Sequence, residues 1–285
     1  MKKKILLTLA IVSLFVCLLA ASASAEVITY KDTTMQFDLK SDGTAEFITA
    51  NRTECTEKEI IIPSIIEYGG NEYTVTKLAD RSIGYQDGNY SNKYVEYVYV
   101  PSTVTSFGSQ LFRNCPNLKK IKIDASLTTI DGYIMAGNPN LEEVDLSGMA
   151  NLTTISGYAA QACSKLTTVK LPNTVETIGD KAFQDCAVTY INFPSSLKSI
   201  GSNCFQNADF AKVVIPKSVT TLSSAAFHMT NNLKTVVFAN PDISGYSSSN
   251  SLIYVTLVFY AGESADTVKT QFSKFKNFTA VSYED

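Results

Sequence analysis

The chain has 285 residues, with 24 Lys and Arg against 27 Asp and Glu (formal charge −3), one His, no Trp and 45% hydrophobic residues. This near-neutral balance, without a Lys/Arg-rich block, argues against nucleic acid or an anionic membrane as partner. The lone His228 rules out a two-His metal site.

Residues 1–25 read as a cleavable signal peptide. Met1-Lys2-Lys3-Lys4 is basic, Ile5 to Leu19 is almost wholly apolar, and Ala23-Ser24-Ala25 is a small-residue cleavage site. The apolar run is shorter than the ~20 residues of a spanning helix, and Cys17 is one of its apolar members rather than a lipid attachment point. Contact with membrane is therefore expected only through this segment before cleavage. Secretion or cell-surface location is expected for the rest, with the periplasm as the alternative.

Residues 26–58 are predicted to form a β cap. Met35–Leu39 and Thr44–Ile48 alternate apolar and polar around a Ser-Asp-Gly turn. Gly69-Gly70-Asn71 marks a second hairpin turn, between Ile60–Ile66 and Tyr73–Leu78.

Residues 59–240 are dominated by one recurring phrase. It reads Val-Tyr-Val-Pro-Ser-Thr-Val-Thr-Ser-Phe-Gly from Val98 and Val-Lys-Leu-Pro-Asn-Thr-Val-Glu-Thr-Ile-Gly from Val169, and variants begin at Ile191 and Val213. The closing residue of each short apolar run is Pro101, Asp124, Ser147, Pro172, Pro194, Pro216 or Ala239, at steps of 23, 23, 25, 22, 22 and 23 residues. Fixed spacing in this range means one supersecondary unit stacked on copies of itself. A first, irregular unit sits at Ile60-Ile61-Ile62-Pro63. Within a unit, period-two pairs such as Ile121 and Ile123 predict a short strand with one buried face, and Pro ends it because it has no N–H for a ladder. Ala-Phe pairs, as in Ala182-Phe183, Cys204-Phe205 and Ala226-Phe227, are expected to stack behind the sheet. No unit has room for a full helix of ~11 residues, so the return leg is predicted to be irregular or 3₁₀-like. The predicted fold class is a β-rich solenoid of the α/β leucine-rich repeat type: a right-handed stack of seven parallel strands from Val98 to Val236, with the sheet on the concave side. In the C-terminal cap, 241–285, Leu252–Tyr260 reads as a strand and Ala265–Phe275 as an amphipathic helix.

Enzymatic signals are thin. No P-loop, Gly-x-Gly-x-x-Gly, Gly-x-Ser-x-Gly or His-Glu-x-x-His motif is present. No catalytic residue, cofactor or metal is expected, and the chain reads as a non-enzyme. Cys115, Cys163 and Cys186 share one repeat slot and Cys204 occupies the Ala slot. Buried core thiols are the favoured reading, with a Cys163–Cys186 bridge as the alternative.

The Pro-Ser/Asn-x-Val-x-x-Ile-Gly-x-x-Ala-Phe-x-x-Cys run, which Pro172 to Cys186 fits best, resembles the BspA-like leucine-rich repeats of bacterial surface proteins. The amino cap (Asp42-Gly43-Thr44-Ala45, Ile62-Pro63-Ser64, Tyr73-Thr74-Val75-Thr76) and the end (Ala261-Gly262-Glu263-Ser264-Ala265) are similar to those of such arrays. The resemblance implies extracellular protein binding, such as adhesion to host matrix or to other cells, and no catalytic residues. The outward strand positions and the insert before them carry the candidate contact residues: Tyr94, Tyr97, Tyr99, Lys122 and Tyr190. Tyr is enriched at interfaces and supplies large area. The expected partner is an extracellular protein, with a glycan stacking on the Tyr surface as the alternative.

Overall fold

The computed structural model describes residues 26–31, 33–50, 57–84, 93–223, 225–239 and 256–259. The expected signal peptide and the expected helix at Ala265–Phe275 lie outside them. Among the described residues there is no helix, and so none long and apolar enough to cross a membrane.

The amino-terminal sheet comprises β1 (Glu26–Thr29), β2 (Met35–Leu39), β3 (Thr44–Ala50), β5 (Ile65–Tyr68) and β6 (Asn71–Leu78), in the order β1-β2-β3-β6-β5. Both predicted hairpin turns are present, but the first arm of the second is Ile65–Tyr68, and Ile60–Ile61, expected in that arm, belongs to another sheet. The second turns on Gly69 and Gly70, whose φ of 58° and 81° suit residues without a Cβ. β4 (Glu59–Ile61) leaves this sheet to become the first strand of the solenoid, so the cap and the repeats interlock between residues 59 and 78.

The solenoid's front sheet continues from β4 through β7 (Tyr97–Val100), β9 (Lys120–Ile123), β11 (Glu143–Asp145) and β13 (Thr168–Lys170) to β15 (Tyr190–Ile191), all parallel. Ile60, Val98, Ile121, Val144, Val169 and Ile191 occupy one register row. The first five are buried and Ile191 is half-buried.

The return leg departs from the expectation. Instead of an irregular or 3₁₀ segment it carries a second parallel ladder. β8 (Ser106–Phe107) pairs with β6. Then β10 (Thr129–Ile130), β12 (Thr154–Ile155), β14 (Thr177–Ile178), β16 (Ser199–Ile200) and β18 (Thr221–Leu222) stack in sequence. Two residues per coil suffice, because each coil donates its amides to the one before, as in Thr177 N–H to Thr153 O and Gly179 N–H to Ile155 O. Ile130, Ile155, Ile178, Ile200 and Leu222 point inward and are buried.

A third column of bonds joins the Ala-Phe turns, with Ala160 N–H donating to Ala182 O and Phe183 N–H to Cys204 O. Behind it the rings of Phe183, Phe205 and Phe227 stack at 5.6 Å spacing. Met135 and Ala160 fill this layer in the units that lack the pair. Cys115, Cys163, Cys186 and Cys204 are buried thiols outside any disulfide, as the core-thiol reading expects. The Cys163 and Cys186 thiols donate to Met135 O and Ala160 O.

The front sheet is also not the continuous seven-strand array that the shared register predicts. It stops at β15. β17 (Lys212–Ile215) and β19 (Thr235–Phe238) form a separate parallel sheet with β20 (Thr256–Phe259). Val213 and Val236 therefore share a sheet with each other and not with Ile191. Val237, which alternation with the inward Val236 and Phe238 would turn outward, is buried too.

The turn lengths and the core residues account for the break. In regular coils the turn residue lies nine residues before the strand-closing position, as from Cys115 to Asp124 or from Cys163 to Pro172; from Cys186 to Pro194 and from Ala208 to Pro216 the distance is eight. The longer turns close with a bond such as Leu118 N–H to Cys115 O or Leu166 N–H to Cys163 O, and the short ones do not. The Leu of that turn is replaced by Val188 and then by Phe210. Phe210 packs edge-on against Phe205 at 5.5 Å and Phe227 at 6.2 Å, and Phe193 is edge-on to Phe205 at 5.6 Å. Two extra rings under adjacent strands hold the coils apart at the front while β16 and β18 stay paired behind. Asn192 also leaves the ladder. Its side-chain amide, rather than its main chain, bonds Leu171 N–H and Leu171 O, both at 2.8 Å.

Candidate functional site

Two neighbouring surfaces follow from this architecture: the front strand face and the cleft where the front sheet stops. On the face, outward residues form two rows. One runs Glu59, Tyr97, Lys120, Glu143, Thr168, Tyr190, and the other runs Ile61, Tyr99, Lys122, Asp145, Lys170.

The middle of the face satisfies itself. Lys120 and Lys170 flank Glu143 at 3.1 and 2.7 Å, and Lys170 also lies 4.0 Å from Asp145. The bond from Lys170, aided by Lys120, holds the Glu143 carboxyl below its ordinary range. At the strand entrances Lys119 and Lys58 bracket Glu96 at 2.7 and 2.9 Å. Their bonds, led by that of Lys119, hold the Glu96 carboxyl at about 2. These acids are committed to cross-strand pairing, and none is poised for proton transfer near neutral pH.

The five candidate contact residues divide. Tyr97 and Tyr99 lie on β7 with Lys122 directly beside Tyr99 on β9. The Lys122 ammonium sits 5.9 Å from the Tyr99 ring centroid, and the Tyr99 hydroxyl donates to Asp124 at 3.1 Å. Burial and that bond raise the Tyr99 phenol pKa. Tyr94 is exposed in the segment leading into β7, with Lys93 over its ring at 5.1 Å. Tyr190 does not join them. It is four strands from Tyr97, about 19 Å at the usual strand spacing, and stands at the rim of the cleft.

The cleft has a volume of about 460 Å³ and is lined by Thr189, Tyr190, Ile191, Phe193, Ser195, Phe210, Lys212, Val213, Val214 and Pro216. Its walls are the facing edges of β15 and β17, which are not paired. A single main-chain bond, Asp209 N–H to Val188 O, links the two coils at its base. Its floor is the Phe193 and Phe210 pair. Tyr190 and Val214, 55% and 47% exposed, form the rims. The reading of the sequence missed Phe193, Phe210, Lys212 and Val214 as a site. The available signal was the pair of 22-residue steps, each with a turn one residue short, falling next to two Phe in positions that aliphatic residues mostly fill elsewhere.

Other chemistry is sparse. Among the described residues no three His, Cys, Asp or Glu side chains gather as a metal site. Burial pushes the Cys186 and Cys204 thiols well up, which leaves no thiolate for nucleophilic attack. His228 is half-buried in a coil turn.

The family model described as the BspA type leucine rich repeat region matches residues 85–210 and 153–279, with six copies. No curated protein matches the sequence. Solved structures with a similar course include a leucine rich cell surface protein from Faecalibacterium prausnitzii (18% identity, 93% of this chain and 97% of that one, TM-score 0.45). A leucine rich repeat protein from T. pallidum has 18% identity over 90% of this chain and 100% of that one, TM-score 0.45. The pneumococcal vaccine antigen PcpA has 12% identity over 93% and 100%, TM-score 0.36. With the repeat register and the parallel ladders described above, the family match leads to one conclusion: the chain belongs to the BspA-type leucine-rich repeat proteins.

Proposed function

We propose that the chain is an exported recognition protein that binds another extracellular protein, such as a host-matrix or cell-surface component, through the amino-terminal part of its strand face. Repeat proteins of this family suit protein interaction, and the leader at 1–25 supplies the route out of the cell. One observation carries the choice of surface. Tyr97, Tyr99 and Lys122 are adjacent on two paired strands, with Tyr99 tied to Asp124 and Lys122 set over its ring. Side chains held in this way lose little freedom on binding, and Tyr brings large contact area to an interface.

The test is a binding screen of the mature protein against a panel of extracellular-matrix proteins, run beside a glycan array. Protein ligands are expected. The double change Tyr97→Ala and Tyr99→Ala, at unchanged melting temperature, should weaken the best of them at least about tenfold, or ~1.4 kcal/mol. A loss under twofold would move the site off this face, and a signal confined to glycans would replace the partner class.

A further inference from the structure

We propose that the cleft between β15 and β17 is a second binding site, separate from the Tyr97–Lys122 surface, and that it takes an extended acidic polypeptide segment, which pairs with the free edge of β17 and lays an apolar side chain on Phe193 and Phe210.

The reasoning starts from main-chain accounting. In a parallel ladder, alternate residues of a strand direct both N–H and C=O to one neighbour. β17 uses one alternate set towards β19, through Val213 and Ile215, and Ala239 N–H continues that line by donating to Ile215 O. Lys212 and Val214 are the other set. They face β15, and no ladder joins the two strands. The same holds for Ile191 across the gap. Everywhere else along the front sheet, from β4 to β15, the next coil meets this demand. Donors and acceptors in strand-like alternation on an open edge are met in that periodic order by another extended main chain. A sugar or a small aromatic ligand offers no such repeat.

The side chains narrow the occupant. The floor is apolar and aromatic, and the volume of about 460 Å³ falls in the range of built ligand pockets, roughly 300–1,000 Å³. The charge is one-signed. Lys120, Lys122 and Lys170 on the front face each lie within 4.0 Å of a carboxylate. Lys212 lines the cleft and has no carboxylate partner among the described residues, and neither does Lys217, one residue past the lining Pro216. The nearest acid in sequence, Asp209, is engaged by the Asn232 side-chain amide. An acidic side chain on the incoming strand meets these two ammonium groups on the way in and at rest.

The experiment uses the mature chain and a capped, fluorescein-labelled heptapeptide alternating Glu with Val and Phe. Binding is read by fluorescence anisotropy. Two control peptides carry Lys in place of Glu, or N-methyl groups on alternate amides. The acidic peptide should bind, and both controls should bind at least tenfold more weakly. Lys212→Glu and Val214→Pro should each lose at least tenfold for the acidic peptide. Lys212→Glu must keep the wild-type melting temperature; if Val214→Pro does not, the N-methylated peptide tests the same main-chain pairing from the ligand side. Tyr97→Ala with Tyr99→Ala should bind the peptide within twofold of wild type, which separates this site from the strand-face reading. Absence of acidic-peptide binding up to about 1 mM, equal binding of the Lys or N-methylated peptides, or equal loss in the Tyr97/Tyr99 variant would each overturn the proposal.

Discussion

At the scale of single residues, the solenoid turns on backbone conformations that ordinary side chains resist. Pairs of left-handed residues four apart recur in successive coils: Gln110 and Asn114, Tyr133 and Gly137, Tyr158 and Ala162, Lys181 and Asp185, Asn203 and Asn207. Gly, Asn and Asp fill most of the second positions and tolerate φ > 0 best. Ala162, at φ 61°, has neither a polar side chain for local bonding nor freedom from a Cβ. It is exposed, so its methyl contributes little packing. Ala162→Gly should therefore stabilise the protein by about 1 kcal/mol, the left-handed cost relieved less the extra entropy of Gly in the unfolded chain. A thermal melt should show a higher midpoint, and an unchanged or lower one would refute this account. A different constraint acts at Gly179, where a Cβ would come within 2.6 Å of the Gly157 amide nitrogen; there Gly permits coil-to-coil approach. Asn138 is a polar counterpart to the cysteines. It is fully buried in the Cys slot, accepts from Cys115 N–H at 2.6 Å and donates to Phe112 O and Met135 O. Its place in the slot was legible in the repeat, but its three bonds were not, because their partners are main-chain atoms of its own turn and of the preceding coil.

At the scale of elements, the front strands are joined by main-chain ladders and by charge rows across them. The Lys58–Glu96–Lys119 row gives a pH dependence of known sign. The Glu96 carboxyl is held at about 2 in the fold, by Lys119 first and then Lys58, against an ordinary value of 4.5. A depressed folded value means that the contribution is fully present above the ordinary carboxylate range and is lost as pH falls towards 2. Glu96→Gln should thus lower the melting temperature modestly at pH 6 and leave it near wild type at pH 2, so the acid limb of the variant's curve is flatter. Parallel curves would show that the row is screened and contributes nothing. The aromatic layer behind is energetically larger. Phe205 touches Phe183 and Phe227 face to face and Phe193 and Phe210 edge-on, and truncating a ring so buried costs roughly 3–5 kcal/mol.

At the scale of the molecule, stability passes from coil to coil, since each repeat contacts chiefly its neighbours. The interrupted front sheet makes one of those interfaces weaker than the rest. Between the coils of β15 and β17 the return ladder, the turn column (Phe205 N–H to Ala226 O, Asn207 N–H to His228 O), the aromatic stack and the bond at Val188 O persist, while the front ladder is missing. Opening should begin at this seam. In native-state hydrogen exchange, the amides of Lys212 and Val214 are expected to exchange first, and those of Val213 and Val236 should lose protection before those of Val144 and Val169. Uniform protection from Ile121 to Val236 would contradict this.

The sequence by itself determined the repeat, its register and the inward rows, because alternation of apolar and polar residues at fixed spacing states which face of each strand is buried. It also determined the family, and it placed Tyr97, Tyr99 and Lys122 on one outward face. Tertiary structure alone decided three further features: the second ladder on the return leg, the separation of Tyr190 from the other candidates, and the break after β15. Each depends on distances between coils. Two-residue strands become a sheet only when the next coil lies at hydrogen-bonding distance. A turn shorter by one residue, or a Phe in place of a Leu, separates strands only when its ring meets others in the same layer. Periodicity along one chain carries the direction of each side chain but not the spacing between coils, and that spacing is where the cleft originates.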